Sequence, residues 1–144
     1  MTSEQLYAEI ILDYYRNPRN FGTLEDSDVI FRDVNPVCGD ITEMHLKIDR
    51  GKIVDIKYSG KGCAISVAAS GMLTEYVKGK TLDEARAVKR EDVLAMLGIP
   101  ISMVRMKCAL LGLKVFKYSI YKYLGMNVDE RGLEDNGYYE GKSY

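Results

Sequence analysis

The chain reads as one domain in which a helical segment comes first, three short strands follow and the rest is helical. A tight-turn signal joins the second and third strands, which pairs them antiparallel. The 144 residues suit one domain with a core that needs no staples. Apolar residues at 47% and charged residues at 28% are ordinary for a globular chain. A net charge of -1 gives no general attraction to nucleic acid or an anionic membrane. No apolar run is long enough to span a bilayer, and the N-terminus lacks the basic-then-apolar order of a signal peptide. A cytoplasmic location is expected.

Thr2 or Ser3 can cap the first helix, Gln5 completes a capping box with Thr2, and Asn17-Pro18 stops the helix. Leu6, Tyr7, Ile10, Ile11 and Tyr14 fall at helical spacing, and these tyrosines, with Phe21, are expected to pack on the body of the domain. Val29 to Val34 is a strand. Thr42, Met44, Leu46 and Ile48 alternate with Glu43, His45 and Lys47, so a second strand has one buried and one wet face. His45, the sole histidine, is expected on the wet face, solvated and not a ligand. Asp49-Arg50-Gly51-Lys52 turns the chain into a third strand carrying Ile53, Val54, Ile56 and Tyr58.

Helical segments follow over 64–78, from the Thr81/Glu84 capping box to Val88, and from Arg90 to Leu97, where Gly98 and Pro100 stop the chain. A last helix buries Ala109, Leu113, Phe116, Ile120 and Leu124 and turns Lys114, Lys117 and Lys122 outward; Gly125 ends it. The expected division is a domain over 1–125 and a flexible C-terminal tail over 126–144, which is polar, acidic and aperiodic.

The chemistry-bearing stretch is Pro36-Val37-Cys38-Gly39-Asp40, which places a thiol and a carboxylate one glycine apart. In a reducing compartment the three cysteines are free thiols. Any one alone is accounted for as a small buried apolar residue. Together they are not, because Cys38 is flanked by Gly39 and Asp40, Cys63 follows Gly60-Lys61-Gly62, and Cys108 follows Arg105 and Lys107. Folding is expected to gather Cys38, Asp40, Cys63 and Cys108 into a four-coordinate site for zinc or iron. Cys63 and Cys108 are both expected to open helices, where the positive end of the helix dipole favours thiolate. Asp40 is expected in an exposed position. As a hard ligand among soft thiolates it holds an iron–sulfur unit less tightly than a fourth cysteine would, and its bland alternative is a turn cap.

These residues resemble the iron–sulfur cluster assembly scaffolds of the IscU, SufU and NifU N-terminal-domain type. The resemblance runs from about Leu6 to Leu124 and rests on 15–22 (YRNPRNFG), 37–40 (VCGD), 62–66 (GCAIS), 74–81 (TEYVKGKT) and 105–108 (RMKC). It implies a compact α+β domain, a three-stranded antiparallel sheet with helices packed on one face and the ligands at one end. It implies a scaffold, not an enzyme, that assembles [2Fe-2S] clusters from iron and desulfurase-derived sulfur and transfers them to apo-proteins. It further implies cluster ligation by Cys38, Asp40, Cys63 and Cys108, a cysteine desulfurase and apo iron–sulfur acceptors as partners, and a cluster that can bridge a homodimer. Cys108 is the expected persulfide acceptor, as the thiol that opens a helix beside two cations.

Lys107 stands where many such scaffolds carry histidine, and a protonated lysine cannot ligate a metal. Lys107 is then an electrostatic auxiliary to the site. Lysine there resembles the SufU branch, which implies an alternative function: a zinc-dependent sulfurtransferase that accepts persulfide sulfur, with zinc in the protein as purified. The short stretch from Lys80 to Cys108 resembles the IscU branch instead. Ile101-Ser102-Met103-Val104-Arg105 replaces the Leu-Pro-Pro-Val-Lys of chaperone-recruiting scaffolds, which argues against dedicated chaperone-assisted release.

Overall fold

A computed structural model describes residues 2–36 and 38–125. The expected tail over 126–144 lies outside the described residues. The helix α1 (Ser3–Arg16) starts at the expected capping box: Thr2 Oγ1 accepts from Gln5 N–H, and Gln5 Oε1 accepts from Thr2 N–H. It ends at Asn17, before Pro18. Strands β1 (Val29–Val34), β2 (Ile41–Asp49) and β3 (Lys52–Lys61) form an antiparallel sheet in the order β1-β2-β3. The β2–β3 connection is a two-residue turn at Arg50 and Gly51, both with positive φ, which matches the twist of a hairpin.

Helices α2 (Ala64–Val77), α3 (Leu82–Arg86), α4 (Arg90–Leu97) and α5 (Met103–Tyr123) complete the chain. The Thr81/Glu84 capping box opens α3, and Gly98 ends α4 in the left-handed conformation. The core lies where Met44, Leu46, Ile53 and Ile56 of the sheet meet Leu73 and Val77 of α2 and Leu113, Phe116 and Ile120 of α5. The small residues of α2 allow close packing. A Cβ at Gly71 would press on the Tyr14 ring at 3.2 Å, and one at Gly112 of α5 would meet Ser70 Oγ at 2.5 Å. No described helix is long and apolar enough to cross a membrane.

Several side chains depart from expectation. His45 is buried, not solvated, because residues 20–28 cross the outer face of the sheet. Its Nδ1 accepts from Leu24 N–H at 3.3 Å and its Nε2 lies 2.7 Å from Glu43 Oε2, so it is a staple for that segment. Lys117 is 1% exposed rather than outward, with its ammonium donating to the Arg86 carbonyl at the end of α3. Lys114 and Lys122 reach β1 instead, at Asp33 Oδ2 and the Ile30 carbonyl. Leu124, expected in the buried stripe, stays exposed, because it caps α5 rather than continuing it. Phe21 packs edge-on against Tyr58 yet remains 45% exposed. In α1 only Ile11 is fully buried, while Leu6 and Tyr7 stay largely open, because α1 packs chiefly on one neighbour, α2.

Candidate metal centre

The loop between β1 and β2 carries Cys38. Asn35 N–H donates to the Asp40 carbonyl at 2.8 Å and Gly39 N–H to the Asn35 carbonyl at 2.7 Å, so the loop closes on itself. Gly39 supplies the positive φ of 77° that this closure needs. The result is a turn with Cys38 exposed and Asp40 folded inward. Asp40 is therefore not exposed as expected; it is 5% exposed and packs at the start of α2. The space it occupies exists because position 62 is glycine: a Cβ there would lie 2.9 Å from Asp40 Cγ and 3.0 Å from Ser66 Oγ.

Cys63 sits at the N-cap of α2, as expected, but its thiol makes no capping hydrogen bond to its own helix. Cys108 does not open a helix. Ser102 caps α5, with its Oγ accepting from Arg105 N–H, and the helix begins at Met103. Cys108 is thus more than a turn inside α5, and the dipole argument for it fails, since that effect fades within the first turn. Burial pushes the Cys108 thiol well above its ordinary pKa, and hydrogen bonds with Cys38 and Asp40 and the charge of Cys63 push the same way.

The structure brings Cys38, Asp40 and Cys108 together. One donor atom from each lies within 4.8 Å of the others, and the Cys38 and Cys108 sulfurs are 3.4 Å apart. Cys63 is not a member of that close group. The Arg105 guanidinium is held above its ordinary range by hydrogen bonding and charge from Cys63, and the charges of Cys108 and Asp40 act the same way. Lys107 is half-buried beside Cys108 in sequence, and on a helix adjacent residues point about 100° apart.

These residues fit a metal ion. The Asp40 Oδ2 atom is buried with no hydrogen-bond partner among the described residues, a costly arrangement unless something binds there. Two thiols and a carboxylate converge on the same point, and a donor set mixing sulfur with one oxygen suits zinc or iron. Sequence reasoning named Arg105 only as a cation near Cys108 and gave Gly62 no role. The signals were there: Arg105 is three residues before Cys108 on a helix, hence near its face, and glycine precedes Cys63 directly.

With this geometry established, known proteins supply the comparison. The NifU-like N terminal domain profile matches residues 6–130. "Iron-sulfur cluster assembly scaffold protein IscU 1" of Archaeoglobus fulgidus is 37% identical over 134 residues, which cover 90% of this chain and 87% of that protein. "Zinc-dependent sulfurtransferase SufU" of Bacillus subtilis is 33% identical over 141 residues, covering 86% of this chain and 95% of its own. In three dimensions, a Fervidobacterium islandicum protein assigned to the SUF system as a cluster assembly scaffold superposes with a TM-score of 0.71 at 27% identity. That match covers 83% of this chain and 99% of the other. With a family model matched over most of its length and relatives above 30% identity that it covers nearly end to end, the chain belongs to the NifU-like N-terminal domain family.

Proposed function

We propose that the protein is a scaffold on which a [2Fe-2S] cluster is built from iron and desulfurase-derived sulfur and then passed to apo-proteins. Its ligands are Cys38, Asp40, Cys63 and Cys108. The observation that carries this reading is the buried, unpartnered Asp40 Oδ2 beside two thiols. A carboxylate in that place gives the cargo one weak ligand, which suits a protein that must release what it holds. The half-open setting suits exchange as well, with Cys38 at the surface and Cys108 behind it.

The test is anaerobic assembly with ferrous iron, cysteine and a desulfurase, followed by visible absorption and transfer to an apo-ferredoxin. Cluster formation and transfer are expected. Tight zinc retention with no cluster formed would sink the scaffold reading. Asp40→Ala is expected to slow cluster loss; loss at the same rate or faster would remove the labile-ligand role.

A second reading, a zinc-dependent sulfurtransferase, is favoured by the 3.4 Å separation of an exposed and a buried thiol. In it the Cys38 thiolate attacks the outer sulfur of a partner's persulfide, and the partner's thiolate leaves. The Cys108 thiolate then takes that sulfur from Cys38, which returns to thiolate. Bound zinc would keep the thiols deprotonated at neutral pH. On this reading Cys108 remains the expected holder of the persulfide, but it is reached through Cys38, because burial and not a helix terminus surrounds it. Mass spectrometry after reaction with a desulfurase distinguishes the two cysteines. In Cys108→Ser the extra sulfur is expected on Cys38, whereas in Cys38→Ser none is expected on Cys108.

A further inference from the structure

The Cys38 and Cys108 sulfurs lie 3.4 Å apart, within reach of each other and not only of a shared ion. A disulfide bond is about 2 Å long, so the two sulfurs need to close by only about 1.4 Å. Cys38 is exposed on the β1–β2 loop, beside Gly39, and a rotation of its side chain can supply that movement. Cys108 stays in place, 3% exposed inside α5. An oxidant arriving from solvent therefore meets Cys38 first, and Cys108 waits behind it as the second thiol. Cys63 is half-exposed as well, but it stands outside the close group, so Cys38 and Cys108 are the matched pair.

We propose that in the metal-free protein Cys38 and Cys108 close into a reversible disulfide that bars the site to metal, so that the protein takes up its cargo only under reducing conditions. The oxidant is a hydroperoxide. The Cys38 sulfur attacks one peroxide oxygen, the O–O bond breaks, and Cys38 becomes a sulfenic acid as the first water (or alcohol) leaves. The Cys108 sulfur then attacks the Cys38 sulfur. The S–S bond forms, the S–O bond breaks, and the departing hydroxide takes the Cys108 proton as a second water. Two thiols are oxidised by two electrons and one peroxide is reduced. A dithiol reductant reverses the step by exchange at the same bond. The disulfide removes two of the three grouped donors, and Asp40 and Cys63 are too few to hold zinc or iron. A bound ion has the opposite effect: it engages both sulfurs and keeps them from the oxidant. The switch therefore acts on the empty site. This inference rests on the donor site proposed above.

The test uses the full chain, stripped of metal and treated with hydrogen peroxide at near-equal concentration. Free thiols are then blocked with N-ethylmaleimide and peptides are mapped without reduction. A peptide pair joined through Cys38 and Cys108 is expected, with Cys63 blocked. Zinc affinity, read by competition with a chromophoric chelator, is expected to fall by more than about 100-fold and to return with dithiothreitol. Zinc-loaded protein is expected to stay unjoined over the time in which the metal-free protein converts. Cys63→Ser should cross-link as the wild type does, whereas in Cys108→Ser the Cys38 sulfenic acid should persist long enough to be trapped by dimedone. A disulfide that includes Cys63 as the main product, no disulfide within the chain, or unchanged zinc affinity in the joined protein would overturn the proposal. Failure of the reduced wild type to take up zinc or ferrous iron would instead overturn the donor site, and the control over metal uptake with it, whatever the peptide map shows.

Discussion

Cys63 and Cys108 look alike in the sequence and end up in opposite situations. Each precedes an apolar run, each has cations beside it, and each seemed to open a helix. Cys63 does sit at a helix start, half-exposed, on a connection just two residues beyond β3. Cys108 sits inside a helix of 21 residues, 3% exposed, pressed against Cys38 and Asp40. The difference lies in what surrounds each thiol: Cys108 is buried inside α5 against Cys38 and Asp40, whereas Cys63 lies half-exposed, with the exposed Arg105 as a charged neighbour.

The strongest way to break this contrast is to remove each thiol in turn. Cys108→Ala is expected to weaken zinc binding by more than about 100-fold, beyond the usual cost of losing an outer-shell partner. Cys63→Ala should cost about tenfold less than Cys108→Ala on the same scale. Competition with a chromophoric chelator measures both, and equal losses would erase the distinction.

A second test bears on the burial of α5. Burial lowers the pKa of Lys117 to about 8, with Asp92 opposing the shift and Arg86 and Lys89 reinforcing it. An unfolded lysine titrates near 10.4. Between these values the unfolded chain binds more protons, so this group's contribution to stability is lost as pH falls through about 8 and fully present above about 10.4. Relative to Lys117→Met, the wild type should gain about 2 kcal/mol between pH 7.5 and pH 10, as read by denaturant unfolding. A constant difference would mean that the ammonium is not desolvated.

The seat of Asp40 offers a third test. Gly62→Ala places a methyl group against Asp40 Cγ without demanding an unusual backbone angle, so the carboxylate should be pushed off its position. Zinc affinity is expected to fall about tenfold, within the range for a disturbed supporting contact, while the melting temperature stays close to that of the wild type. Unchanged affinity would show that Asp40 does not need its present seat.

The smallest effect is expected at the cap of α5. Ser102→Ala removes the side-chain acceptor for Arg105 N–H and should cost about 1 kcal/mol of stability. Denaturant unfolding measures it, and an unchanged stability would show that this cap contributes nothing to α5.

Much of this molecule was legible in the residues alone. Capping boxes at Thr2 and Thr81, alternation along β2 and the glycine at the hairpin are local signals, and each acts within a few residues of itself. The bounds of α4 and the helix-start position of Cys63 follow from the same kind of signal. The start of α5 was misplaced because Ser102-Met103-Val104 carries an exposed apolar pair, Met103 and Val104, that belongs to no buried stripe. Periodicity therefore began only at Ala109, and the serine cap was passed over.

What the sequence by itself determined is the kind of chemistry: three thiols, one carboxylate and two nearby cations, each tied to a short motif. Only the tertiary structure decided how they divide. It buried Asp40 with one oxygen unpartnered, drew Cys38 and Cys108 together across 70 residues of chain, and left Cys63 outside that close group. It also turned His45 and Lys117 inward, because the covering segment over one and the helix end beside the other come from distant parts of the chain. Local patterns fix which face a residue starts on; what lies over that face depends on long-range packing, which no short window of sequence contains.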